Sequence, residues 1–334
     1  VGVNGRHHVR IDVSAAVGTG EKLAVAATVL LPGDLPRGGR RTVIFGFPGG
    51  GYNRRYWDLE IPGHSGYSQA EHHLRAGHVF VACDHLAVGD SDRPRAPLDF
   101  DAVARANAHA AREIRSILAA GTLAADIAPV EIGATAALGQ SFGGFLLIIA
   151  QGTEPVFDGV GVLGYSARDP QTPWPDHLTL DDVLNLRGGN GRDHPMCPWF
   201  HYADVPDEIV VADMTKLPGT LASWAPWSTA VNPGGAAVQY GRRPRDPLVV
   251  AADAARIDRP VLVAAGEIDV VAEPMLEPSA YPASAHVTTA VIQRMGHMHN
   301  FASTLVRLWE VIDDWLVVVD RHAARRWPNS AARI

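Results

Sequence analysis

The stretch Ala134-Thr135-Ala136-Ala137-Leu138-Gly139-Gln140-Ser141-Phe142-Gly143-Gly144 decides how the rest of the chain is read. Its centre, Gly139-Gln140-Ser141-Phe142-Gly143, has the G-x-S-x-G form of a nucleophile elbow. The apolar run before it suits a buried strand. Phe145 to Ala150 after it is apolar on every side and suits a buried helix. Ser141 would then stand on a sharp strand-to-helix turn, where a Cβ at 139 or 143 would crowd the backbone. The first N–H groups of the new helix would face any negative charge developing beside the serine.

Working outward, short apolar runs alternate with helical patterns. Residues 6–17 and 23–31 read as an N-terminal antiparallel hairpin, bounded by Gly18, Gly20 and Pro32-Gly33. Thr42 to Gly46 is a strand running into Phe47-Pro48-Gly49-Gly50-Gly51-Tyr52. A helix over 67–75 precedes a strand at 79–83. Phe100, Val103, Ala106, Ala110, Ile114, Ile117 and Leu118 then recur at helical spacing until Gly121. Further strands fall at 160–164, 260–265 and 287–292, and a closing helix carries Phe301, Leu305, Leu308, Ile312, Trp315 and Val319 on one face. This rhythm predicts a mostly parallel central sheet flanked by helices. Between about 169 and 246 the texture changes to Pro, Gly, Asp and Trp, with Trp174, Trp199, Trp224 and Trp227 inside it. That region reads as an inserted cap between two parts of one core, 1–168 and 247–334.

Composition bounds the partners. The 334 residues are 47% hydrophobic with a formal charge of −7 and no basic stripe, which disfavours nucleic acid and anionic membrane surfaces. No apolar run is long enough for membrane insertion. The fifteen histidines and two cysteines show no metal-ligand spacing, so neither a metal nor a cofactor is expected. Two cysteines make no disulfide framework, which fits a reducing, cytoplasmic compartment. The chain begins at Val1 and not at Met, which leaves room for a cleaved leader. A homodimer is compatible with these bounds.

A serine nucleophile needs a base, and the base needs an orienting acid. Strand 260–265 runs into Gly266-Glu267-Ile268-Asp269, and strand 287–292 into Gln293-Arg294-Met295-Gly296-His297-Met298-His299-Asn300. An acid and a histidine after these two strands could both reach the sheet edge where Ser141 would stand. His299 is the rival base and otherwise a pocket wall or a group behind the reacting residues. Asp84 and Asp90 read as loop-structuring.

With these residues in the order Ser, Asp, His, the sequence resembles the α/β-hydrolase superfamily. Gly139–Gly143 looks like its elbow, Gly266–Asp269 like its G-x-x-D acid loop and Gly296-His297 like its G-H base loop. Asp84 to Pro94 is similar to its D-x-R-G-x-G-x-S-x-x-P loop, with Leu86 for the arginine and Ala87 for the first glycine. The resemblance covers nearly the whole chain except the insert. It implies a capped serine hydrolase without cofactor, with Ser141, His297 and Asp269 as triad. The N–H of Phe142 would be one oxyanion donor. Where the family has His-Gly after its third strand, this chain has Phe45-Gly46, and in that register Phe47 is the second donor; an alternative register makes it Gly50. Serine at 141 argues against dehalogenase and epoxide hydrolase chemistry, whose members use aspartate there. The expected substrate is a bulky, largely apolar small-molecule ester or lactone, lined by Tyr52, Trp199, Trp224, Trp227 and His299. The alternatives are a thioesterase or acyltransferase with the same triad, or a binding protein on this fold.

Overall fold

The computed structural model describes residues 3–33, 40–95, 98–168, 191–193, 197–213 and 250–326. Trp174, Trp224, Trp227 and most of the region expected to form the cap lie outside the described residues.

Eight strands form one sheet in the order β1-β2-β4-β3-β5-β6-β7-β8. They are β1 (Val3–Asp12), β2 (Ala24–Pro32), β3 (Arg41–Phe47), β4 (Val79–Cys83), β5 (Ile132–Gln140), β6 (Gly159–Leu163), β7 (Val261–Gly266) and β8 (Val287–Ile292). The β1–β2 and β2–β4 pairs are antiparallel, and every pair from β4 through β3 to β8 is parallel. The hairpin and the parallel sheet expected from the sequence are both present. Some boundaries differ. The closing helix begins at Leu305, and Phe301, expected on its face, lies in a separate short turn, His299–Phe301. The first strand stops at Asp12, and a one-turn helix, α1 (Ser14–Val17), follows. The Asp12 carboxylate accepts the Ser14 N–H at 2.8 Å, and Gly18 ends the turn at φ 76°. Short polar side chains that capture a nearby N–H compete with a strand ladder in this way.

Period-two alternation sends the parallel strands' side chains to two apolar layers. Val43, Phe45 and Phe47 of β3 face one side, with α3 (Phe100–Ala120) and α4 (Phe142–Thr153). Ile44 faces the other, with the C-terminal helix (Leu305–Arg326). That second layer also takes in Leu74 of α2 (Gln69–Arg75) and Phe200, Val205, Ile209 and Val210 from the described part of the insert. Local signals set the helix ends. Ser68 caps α2 by accepting the Glu71 N–H at 3.0 Å, Asp99 caps α3 by accepting that of Ala102 at 2.7 Å, and Gly121 closes α3 at φ 67°. No helix among the described residues is long and apolar enough to cross a membrane.

Candidate active site

Five loops at the carboxyl ends of the parallel strands build the site, the edge at which open α/β sheets bind ligands. The turn after β5 carries Ser141 at φ 51° and ψ −116°, a region that side chains rarely occupy. Its N–H donates to the Leu163 carbonyl at 2.7 Å, which ties the turn to β6. The glycines beside it are sterically required. A Cβ on Gly139 would stand 2.5 Å from the Gly143 oxygen, and one on Gly143 would stand 2.2 Å from the Phe47 oxygen. The β3 loop passes just as closely, since a Cβ built on Gly49 would lie 3.3 Å from Ser141 Cβ.

His297 bridges two of the other expected residues. Its Nε2 is 2.9 Å from Ser141 Oγ and its Nδ1 is 2.6 Å from Asp269 Oδ1. A carboxylate can only accept, so the proton sits on Nδ1, and Nε2 offers its lone pair to the serine hydroxyl. Asp269 is fully buried and holds four donors. Oδ1 also takes the Val270 N–H at 2.7 Å, and Oδ2 takes the Gly266 N–H at 2.8 Å and His299 Nε2 at 2.9 Å. Burial alone would raise its pKa. The charge of His297 and the hydrogen bonds from both imidazoles outweigh that and hold the carboxyl well below its usual range. His299 therefore contacts the acid and not the serine. Glu267, beside the acid, is exposed and accepts the Arg294 N–H at 2.7 Å.

Some expected site residues lie apart from this chain of bonds. Tyr52 is buried and gives its hydroxyl to Asp213 at 2.8 Å. Trp199 is 37% exposed; its carbonyl, and not its ring, meets the base loop by accepting the His297 N–H at 2.9 Å. Its neighbour Phe200 lies against the His297 ring, with centroids 5.6 Å apart. The backbone of Phe47 and Pro48 runs beside Gly143, and the Phe47 ring is buried in the core.

Several supports carry no local motif. Gln140 donates to the His297 carbonyl at 3.0 Å across 157 residues. Asn300 donates to the Tyr56 carbonyl at 3.0 Å and accepts from Trp309 Nε1 at 2.9 Å, pinning the base loop to the C-terminal helix. Arg54 binds Asp84 and Asp90, and Asp84 also accepts the Arg54 and Asp90 N–H groups, so both acids are bound up in loop structure. Away from the site, His72 and His73 meet Asp313 at 2.7 Å each. This is the one group of three or more side chains among the described residues with metal-ligand atoms in mutual reach. The carboxylate comes from 240 residues downstream, where sequence spacing does not reveal it. The three groups satisfy one another by hydrogen bonds and clamp α2 to the C-terminal helix.

No protein-family model and no curated protein matches the sequence. Solved structures do match. A thermophilic esterase from Thermogutta terrifontis, with malate bound, aligns at TM-score 0.61 and 16% identity over 94% of this chain and 99% of that one. A probable hydrolytic enzyme from Pseudomonas aeruginosa PAO1 aligns at 0.60 and 16% over 93% and 94%. A haloalkane dehalogenase variant from Bradyrhizobium elkanii aligns at 0.59 and 13% over 96% and 99%. With the strand order, the elbow and these full-length likenesses together, the chain has the α/β-hydrolase fold.

Proposed function

We propose that this chain is a serine hydrolase cleaving an ester or lactone bond through an acyl-enzyme. The observation that carries the reading is the unbroken line of hydrogen bonds from Ser141 Oγ through His297 to Asp269, set on a strained elbow. His297 Nε2 takes the hydroxyl proton as Oγ attacks the carbonyl carbon. Asp269 keeps the imidazole in the Nδ1–H tautomer and stabilises the imidazolium. The N–H groups of Phe142 and Phe47 receive the oxyanion, with Gly50 as donor in the other register. One such donor is worth about 3 kcal/mol in the transition state. His297 then returns the proton to the leaving alcohol and activates the water that releases the acid. The region 169–246 covers this site as a cap over the core formed by 1–168 and 247–334.

The test is covalent labelling with a fluorophosphonate, followed by peptide mapping. Label on Ser141, lost in Ser141→Ala together with p-nitrophenyl ester turnover, is the expected result. His297→Ala should be as inactive as the serine variant, because the members of such a unit are not additive. His299→Ala should retain measurable activity. Label mapping to another residue, or an active Ser141→Ala, overturns the reading.

A further inference from the structure

His85 belongs to none of the steps above, yet it touches Phe47, Pro48 and Phe142, which flank the expected oxyanion site. It stands two residues after the end of β4 and is completely buried. Its Nε2 lies 2.9 Å from the Pro48 carbonyl oxygen, in the loop after β3. Its ring stacks on Phe47, with centroids 6.1 Å apart and planes at 17°. The edge of Phe142 meets it at 5.8 Å and 80°. On its far side Nδ1 is 2.9 Å from the Asn107 side-chain nitrogen, on α3. The residues carrying the two expected oxyanion donors thus both pack against one imidazole.

The hydrogen bonds dictate its state. The Pro48 carbonyl can only accept, so Nε2 carries the proton. Nδ1 then accepts from the Asn107 amide, and the ring is neutral. Burial acts in the same direction by disfavouring the charged form. The preceding residue anchors the ring from behind, since the Asp84 carboxylate is bound by the Arg54 and Asp90 N–H groups and by the Arg54 guanidinium.

We infer that His85, fixed by Asn107, is a positioning residue that sets the distance between the two halves of the oxyanion hole. This rests on the serine hydrolase reading. Oxyanion donors act only when held at the right distance before reaction. The loop after Pro48 is a run of glycines, Gly49-Gly50-Gly51, with no side chains of its own to hold it. A hydrogen bond at Pro48 and two aromatic contacts add a side-chain restraint at its start.

The experiment compares His85→Phe, which keeps a flat ring but removes the donor, with His85→Gln, whose amide can still reach the Pro48 carbonyl. The readouts are kcat and KM for p-nitrophenyl hexanoate, and the affinity for hexylboronic acid, a tetrahedral mimic once bound to Ser141. In His85→Phe, kcat should fall by about tenfold or more, a fraction of the loss from deleting a donor. KM should stay within about twofold, because ground-state binding is untouched. Boronate affinity should fall in step with kcat, and His85→Gln should recover most of both. Unchanged kcat and boronate affinity in a folded His85→Phe overturns the inference, as does a His85→Gln no better than His85→Phe. A measurement on the unaltered protein holds even if the variants fail to fold. Imidazole nitrogen NMR should find His85 neutral with the proton on Nε2, and a charged ring or the opposite tautomer overturns the role. Fluorophosphonate labelling of Ser141 in the unaltered protein separates the two ideas, since its failure sinks the hydrolase reading first.

Discussion

Ser141 stands at φ 51° and ψ −116°, with no side-chain cap bond to the helix it starts. Such a conformation costs about 1–3 kcal/mol in a residue with a Cβ. The strain holds Oγ out toward His297, so it serves the site at the expense of stability. Two variants isolate it. Ser141→Ala and Ser141→Gly both lose the bond to His297, but only glycine escapes the strain. Glycine's extra freedom in the unfolded chain gives back about 0.5–1 kcal/mol. Ser141→Gly should therefore be more stable than Ser141→Ala by about 1 kcal/mol in urea unfolding, and both should be inactive. A Ser141→Gly variant less stable than Ser141→Ala by about 0.5–1 kcal/mol would mean that the turn carries no strain. At this scale the sequence was legible wherever a residue sits in a local pattern. Ser141, Asp269 and His297 each lie in a short motif at a strand end, and the three meet at hydrogen-bonding distance. His85 and Gln140 act through partners 37 and 157 residues away, on backbone oxygens that no local pattern marks.

Elements were legible by periodicity, and their docking was not. The closing helix was readable from its apolar face, but its polar grip on α2 was not. That grip is Asp313 accepting from His72 and His73, on two elements far apart in sequence. It makes a stability prediction whose sign follows from the two pKa directions. His73 is fully buried; desolvation lowers its pKa, and the bonds to Asp313 only partly offset this. Burial would raise the pKa of Asp313, but the two histidines lower it below its usual value. Both groups therefore bind fewer protons folded than unfolded. Their stabilisation is present above the unfolded pKa and is lost as pH falls. For His73 the loss begins near about pH 6.5, and for Asp313 near about pH 4. The Tm should fall as pH is lowered from about 7 to about 5, where only the histidine term is active. His73→Phe should be less stable at neutral pH and show a shallower fall. A Tm flat over that window, or a slope unchanged in His73→Phe, would remove the clamp from the explanation.

On the scale of the whole molecule, the strand order explains why so many loops converge. β4, β3, β5, β7 and β8 each lead into a segment of the candidate site, carrying His85, the Phe47 loop, Ser141, Asp269 and His297 in turn. The insert leaves from β6, beside the elbow strand, and its described part is sewn to the base loop. The Trp199 and Phe200 carbonyls accept the His297 and Met298 N–H groups at 2.9 and 3.0 Å, and Asp213 takes the Tyr52 hydroxyl. We propose that the insert, attached at these points, covers Ser141 as a cap, which makes its aromatic residues the natural source of substrate contacts. Aromatic walls bury large apolar area at little conformational cost. A site built that way gains rate from substrates large enough to fill it, because remote contacts help hold the reacting carbonyl in place. Bulky, uncharged p-nitrophenyl esters and ring lactones should therefore show higher kcat/KM than acetyl esters. Phe200→Ala, Trp174→Ala, Trp224→Ala and Trp227→Ala should each be tested across that size series. Phe200→Ala should flatten it, because this ring lies against the base. Trp199→Ala should change it least, because that side chain is turned partly to solvent. Should the series be flat in the unaltered protein, or keep its slope in all five variants, the insert's aromatics are packing for their own segment and the substrate is chosen elsewhere.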